Sequence, residues 1–200
     1  MNKILNKYFV IDFEFTFYKR PVGRPSGFFN EIIEAGAVLM DSAGTEIGSM
    51  HSFVKPHFYP RHAKDAFDFC MITEKEMKNA IEFPEMVNQI SNLYVPGESY
   101  FVTWGDDDFK VLETGCKRHG IDNPICVDDC LDLAMAYKLW KEDDFTSSLK
   151  AAAEGLEADT KGLWHTAYDD AANTSKVLFK MIEKGWNIEE FLAALVNDTK

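Results

Sequence analysis

The 200-residue sequence predicts an α/β fold, a mixed β-sheet covered by helices on both faces. Two patterns carry that expectation. Three apolar, strand-like stretches separated by turns fill the first half, and helical periodicities alternate with short strand signals after it. The turn Asp41-Ser42-Ala43-Gly44, between the second and third stretches, is consistent with a hairpin and so with a meander of three strands.

Tyr8–Phe13 reads as a buried first strand, Ile32–Met40 as the second and Ile47–Val54 as the third. Phe15 to Asn30 holds Pro21, Gly23, Pro25 and Gly27, which reads as a long, mobile loop. Thr73-Glu74-Lys75-Glu76 matches a capping box and starts a helix. Phe83-Pro84-Glu85 starts another, with proline in its first turn. Ser99–Trp104 reads as the fourth strand and Ile125–Asp128 as a short fifth. Helices are expected over 107–118, 130–141, 146–154 and 167–184, with a last amphipathic piece over 187–196. No repeat or interdomain linker interrupts the chain, so one domain over 1–200 is expected, its core at about 8–184.

Apolar residues make up 46%, enough for a full core. No apolar run reaches the roughly 18 residues of a membrane span. Met1–Lys7 lacks the apolar stretch of a signal peptide. The four cysteines do not form a disulfide scaffold at this length, so a reducing cytoplasm is the expected setting. Cys116, His119, Cys126 and Cys130 suggest zinc, but no Cys-x-x-Cys is present and Cys116 shares a helical face with Phe109 and Leu112. Buried free thiols are the expectation.

The net charge of −12 argues against a protein that coats long nucleic acid through phosphate contacts alone. The charge is uneven, however. Residues 1–64 hold 8 Lys/Arg against 6 Asp/Glu, and residues 65–200 hold 13 against 27. Lys19, Arg20 and Arg24 lie in one loop, and Lys55, His57, Arg61, His62 and Lys64 in another. They read either as solvated surface or as a basic rim that guides a short single strand.

Three acidic stations stand at the ends of apolar elements. In an extended strand the side chains of residues i and i+2 share a face, so Asp12 and Glu14 leave the first strand side by side. Two like charges that close call for a cation, and a divalent one with oxygen ligands answers the need. Asp106-Asp107-Asp108 follows the fourth strand, and His165-Thr166-Ala167-Tyr168-Asp169-Asp170 opens a later helix. Each station alone reads equally as a strand end or as acids complementing a helix dipole. Together, in this order, they fit a two-metal phosphoryl-transfer site.

The order Asp12-Phe13-Glu14, Asp108-Phe109-Lys110-Val111-Leu112 and His165 to Asp170 resembles the DEDDh class of 3′→5′ exonucleases. Glu31-Ile32-Ile33-Glu34-Ala35-Gly36, Thr103-Trp104-Gly105 and Asp169-Asp170-Ala171 resemble its Eri/KapD-type branch. The resemblance spans about residues 8 to 184. It implies a ribonuclease-H-like sheet of order 3-2-1-4-5 with the site at the end of the first strand.

The resemblance also implies two Mg²⁺ or Mn²⁺ ions held by Asp12, Glu14, Asp108 and Asp170. Asp12 would bridge, Glu14 and Asp170 would hold the first ion, and Asp108 would assist the second. His165, with an ordinary pKa of about 6.5, suits the general base. Its loop, Asp159-Thr160-Lys161-Gly162-Leu163-Trp164, contains glycine and reads as able to move when substrate arrives. The expected partner is the 3′ end of single-stranded RNA or DNA, RNA favoured, with nucleoside 5′-monophosphates released. A DNA-proofreading or short-oligonucleotide enzyme is the alternative chemistry, and a non-catalytic binding relative the alternative class.

Phe13, Phe15, Thr16, Ile72 and Trp104 are the expected substrate contacts, since aromatic rings can stack on bases irrespective of sequence. Phe13 reads equally as core, and Trp104 reads first as sheet core from its position in the fourth strand. Cys70-Met71 stands where relatives carry Thr-Gly, which leaves the Ile72 contact open. Asp107 should point to solvent, opposite the face of Phe109, Leu112 and Cys116. Periodicity leaves Asp106 and Asp108 open, and the family pattern selects Asp108.

Overall fold

The computed structural model describes residues 5–20 and 22–198. Pro21, counted among the loop's turn residues, and Met1–Ile4, read as lacking a signal sequence, lie outside the described residues. The strands are β1 (Lys7–Phe15), β2 (Ile32–Asp41), β3 (Glu46–Phe53), β4 (Ser99–Thr103) and β5 (Cys130–Asp132). The helices are α1 (Lys64–Phe69), α2 (Glu74–Lys78), α3 (Phe83–Leu93), α4 (Asp107–His119), α5 (Leu133–Lys141), α6 (Leu149–Leu156), α7 (Ala167–Glu183) and α8 (Ile188–Asp198). The sheet order is β3-β2-β1-β4-β5. β1 pairs antiparallel with β2 and parallel with β4, β2 is antiparallel to β3, and β4 is parallel to β5. The mixed sheet agrees with expectation.

Alternation along β1 divides the core in two. Phe9, Ile11 and Phe13 join Phe83, Met86 and Ile90 of α3 and Val111, Leu112 and Cys116 of α4. Val10 points the other way, with Val38 and Met40 of β2, onto Leu133 of α5, Ala152 of α6 and Val177 and Leu178 of α7. A strand buried on both faces reads as a nearly unbroken apolar run, as Tyr8–Ile11 does, until Asp12 and Glu14 interrupt it.

Three expectations need correction. The fifth strand lies at Cys130–Asp132, where it pairs with Phe101–Thr103, not at Ile125–Asp128. The buried Asp129 carboxylate accepts the Tyr94 hydroxyl and the Gly97 amide, which draws Val127–Asp129 into a 3₁₀ turn instead. The helix expected from residue 130 therefore starts at Leu133, capped by the Asp132 side chain on the Met135 amide. The segment read as one basic loop contains a 3₁₀ turn, Pro60–His62, and α1. Six residues with one buried side chain, Ala66, and no side-chain cap carry too little periodicity to be seen. The capping box at Thr73 and Glu76 is present, although α2 is only five residues long.

Candidate active site

β1 supplies the first two carboxylates by its register. Its pairing with β4 covers only Lys7–Val10, so beyond Val10 the sheet opens on that edge. Asp12 and Glu14 emerge there, on the face that carries Val10 and α7. The opening leaves strand amides without ladder partners, and a buried N–H must find another acceptor. The Phe13 amide donates to Asp108 Oδ1 at 2.9 Å, so one bond satisfies the strand and draws the first turn of α4 to the strand end.

Asp170 arrives from above. The backbone of α7 packs against β2 at Gly36, the cross-strand partner of Asp12. A Cβ at Gly36 would lie 2.1 Å from the Tyr168 nitrogen, so only glycine permits this approach. Asp170, two residues on, accepts the His165 amide through Oδ2 at 3.0 Å. Its Oδ1 is buried with no hydrogen-bond partner among the described residues.

His165 is exposed, with a left-handed backbone (φ 66°) that non-glycine residues seldom adopt. A short network fixes its loop. Asn173 joins Lys161 through both its amide atoms, and Asp169 accepts from the Leu163 amide and the Thr166 hydroxyl. Gly162 allows this closure, since a Cβ there would lie 2.1 Å from the Asp169 carboxyl carbon. One ligand atom each of Glu14, His165 and Asp170 then lies within 4.8 Å of the other two.

The electrostatics are those of crowded anions. Burial, then the charges of Asp108, Glu14 and Asp170, raise the Asp12 carboxyl well above its ordinary range. Burial pushes Asp108 up to about 7, and the Phe13 amide only partly offsets it. Burial likewise pushes Asp170 up to about 6, and raises Glu14 against the opposing hydrogen bond from Cys70. Four carboxylates disfavoured as anions, one with an orphaned buried oxygen, make a donor set suited to hard divalent cations. Glu14, His165 and Asp170 are the only metal-capable cluster of this kind among the described residues. Cys116 is buried, as expected, and so is Cys70, whereas Cys126 and Cys130, also expected to be buried, are only partly so.

The aspartate neighbours separate by exposure. The Asp107 side chain is 82% exposed, and Asp106 forms an ion pair with Lys110 at the surface, while Asp108 is buried.

The expected substrate contacts divide. Phe13 is buried in the core, and the buried Thr16 uses its hydroxyl to accept the Glu31 amide, so neither side chain opens onto the cleft. Phe15 lines an open cavity of about 270 Å³ with Arg24, Asn30 and Lys110, beside the first turn of α4. Ile72 lines a second, about 280 Å³, with His51, Leu163 and Tyr168. Trp104 lies just past β4, half-buried on the α5–α7 side, with its indole N–H on the Ser147 carbonyl.

Two side chains beside the carboxylates were missed as site residues. Glu34, nearly fully buried on β2 opposite Glu14, takes a 2.7 Å bond from His51 Nε2 that raises the imidazole pKa. The Cys70 thiol donates to Glu14 Oε2 at 3.1 Å. A glutamate inside an apolar strand was the one available signal for Glu34; nothing local marks Cys70.

A five-stranded 3-2-1-4-5 sheet with acidic groups gathered at the end of its first strand defines a ribonuclease-H-like nuclease. Residues 9–178 match the family model described as Exonuclease (RNase T), and the chain belongs to that family as a 3′→5′ exonuclease, a hydrolase of phosphodiester bonds. The "Probable 3′-5′ exonuclease KapD" of Bacillus subtilis is 35% identical over 182 residues, covering 90% of this chain and 85% of its own. The mouse "ERI1 exoribonuclease 2" is 27% identical over 199 residues, and the match spans only 28% of that longer protein. Among solved structures, the nuclease domain of 3′hExo, a DEDDh family member bound to rAMP, superposes with a TM-score of 0.76. It is 21% identical, with 92% of this chain and 96% of that one covered. Enzymes of this class act with divalent metal ions. Among the described residues, no helix is long and apolar enough to cross a membrane.

Proposed function

We propose that this chain removes nucleoside 5′-monophosphates one at a time from the 3′ end of single-stranded nucleic acid, RNA in preference to DNA, with two Mg²⁺ or Mn²⁺ ions. The orphaned Asp170 oxygen beside Glu14 and His165 carries the reading, because a buried carboxylate oxygen without a donor invites a cation. The preference for RNA rests on the likeness to an exoribonuclease.

Asp12, Glu14 and Asp170 would hold the first ion, and Asp108, with Asp12, would serve the second. The ions, when bound, neutralise the charge on the scissile phosphate and lower the pKa of attacking water. His165, exposed at the lip of the cluster, takes the proton from that water. The Phe13 amide holds Asp108 at the strand end. Cys70, by donating to Glu14, fixes the direction of that carboxylate. Phe15, Ile72 and Trp104 border the terminal nucleotide.

The test is digestion of 3′- and 5′-labelled RNA and DNA single strands with Mg²⁺, Mn²⁺ or EDTA. The reading requires stepwise shortening from the 3′ end, mononucleotide products and faster loss of RNA. Internal cuts, or no degradation with either metal, would overturn it.

A further inference from the structure

The two basic loops noted in the sequence meet in one pocket that the catalytic site does not use. Lys19 and Arg20 come from the loop after β1, Arg61 and His62 from the turn before α1, and Lys64 from the first position of α1. They line a cavity of about 330 Å³ with Phe17, Tyr18 and one acid, Asp65. Lys64 is shared with Asp68 at 3.4 Å. Among the described residues, Lys19, Arg20 and Arg61 have no ion-pair partner.

The loops are anchored. Glu31, at the foot of β2, is buried, and its two carboxylate oxygens accept the amides of His57, Phe58 and Tyr59 at 2.6, 2.7 and 2.6 Å. The Glu31 amide is held by Thr16 at the start of the other loop, so one residue fixes the roots of both. Higher up, the Tyr18 ring packs edge-on to His62 at 5.7 Å, Phe28 on Tyr59 at 5.0 Å, and the Tyr59 hydroxyl donates to the Gly27 carbonyl. Cations set on anchored backbone lose less freedom when an anion arrives.

The pocket adjoins the chemistry through rings. Phe17 packs edge-on to Phe69 at 6.0 Å, and Phe69 lies 4.9 Å from the His165 imidazole. We propose that this pocket binds an internucleotide phosphate of the substrate strand, upstream of the nucleotide being removed. Guanidinium groups suit that ligand, since their planar donors match two phosphate oxygens at once. The pocket gives an acidic protein its hold on a polyanion at one place, and makes strand length, not base identity, the quantity it reads.

This rests on the exonuclease reading above, and the test separates the two. Wild type and Arg20→Gln/Arg61→Gln are compared on a ten-nucleotide RNA and on the p-nitrophenyl ester of thymidine 5′-monophosphate, which has no upstream phosphate. The double variant is expected to raise KM for the strand roughly tenfold or more. It should also make the salt dependence of log KM shallower by about 0.7, the value for one lost phosphate contact. Turnover of the ester should stay within about twofold of wild type. An unchanged KM and salt slope for the strand would overturn the pocket while leaving the exonuclease reading intact. Wild type hydrolysing neither substrate would overturn both. If the double variant melts early, Lys19→Gln, at an exposed position, must raise KM for the strand and make the slope shallower, by no more than about 0.7; no change there counts equally against the pocket.

Discussion

Gly36 of β2 and Tyr168 of α7 meet backbone to backbone: a Cβ on Gly36 would stand 2.1 Å from the Tyr168 nitrogen. Asp12 is the cross-strand partner of Gly36, and Asp170 lies half a turn beyond Tyr168. This contact therefore sets how closely α7 brings its carboxylate to those of β1. Gly36→Ala should push α7 outward at a cost of about 1–3 kcal/mol, the usual range for overpacking. The melting temperature should fall by roughly 3–10 °C, and Mg²⁺-dependent activity should fall more than stability does. Calorimetry and a turnover assay at a temperature where the variant stays folded check both.

Asp108→Asn should abolish activity, because the same carboxylate binds the Phe13 amide and faces the Asp12 cluster. Asp107→Asn, at a side chain 82% exposed, should stay within about twofold of wild type. Asp106→Asn breaks only a surface ion pair with Lys110 and should cost less than about 1 kcal/mol in stability, with mild effect on rate. Single-turnover rates of the three variants rank them, and an active Asp108→Asn protein would remove this carboxylate from the site.

His165→Ala should lose turnover by roughly 10²–10⁴-fold while keeping metal and strand binding, as proton transfer and not coordination is its assigned work. Kinetics beside binding of a labelled strand separate the two. Weakened metal binding in this variant would make His165 a ligand, a role its place within 4.8 Å of Glu14 and Asp170 would accommodate.

The raised carboxyl pKa values predict how the metal-free protein responds to pH. Asp108 is pushed up to about 7 and Asp170 to about 6, chiefly by burial, against about 3.9 in an unfolded chain. A group raised on folding binds more protons in the folded state, so its stabilising contribution is full below pH of about 4 and is lost as pH rises through 6 to 7. EDTA-treated protein should therefore melt lower at pH 8 than at pH 5. Mg²⁺ competes with protons for the same oxygens, so it should reduce that fall and stabilise most at the higher pH. Thermal melts across pH 4.5–8.5, with and without Mg²⁺, give the sign.

Strand and helix periodicity were plain in the sequence. Asp12 and Glu14 share a face because any strand alternates, and the buried side of α4 follows from Phe109, Leu112 and Cys116. The choice of Asp108 over Asp106 came from family likeness, and its cause is a contact across 95 residues with the Phe13 amide. Pairings of this kind leave little local trace. Glu34 with His51, Cys70 with Glu14, and Glu31 with the amides of residues 57–59 all depend on which segments the fold brings together. β5 was misplaced because three residues carry almost no pattern, and the buried Asp129 that decides its start acts through Tyr94, 35 residues earlier. Phe13 and Thr16 adjoin the carboxylates in sequence, yet strand alternation and the Glu31 amide turn their side chains away from the cleft.

On the proposed function, Asp12, Glu14, Asp108 and Asp170 together hold the two cations that drive hydrolysis, and counting bound Mn²⁺ is the sharpest check. Titration of Mn²⁺ into metal-free protein with a nucleoside 5′-monophosphate present, followed by electron paramagnetic resonance, reports the number of ions per chain. Two are expected for wild type and fewer than two for Asp170→Asn, with strand digestion lost in parallel. Full Mn²⁺ occupancy in Asp170→Asn, or undiminished digestion by metal-free wild type in EDTA, would contradict it.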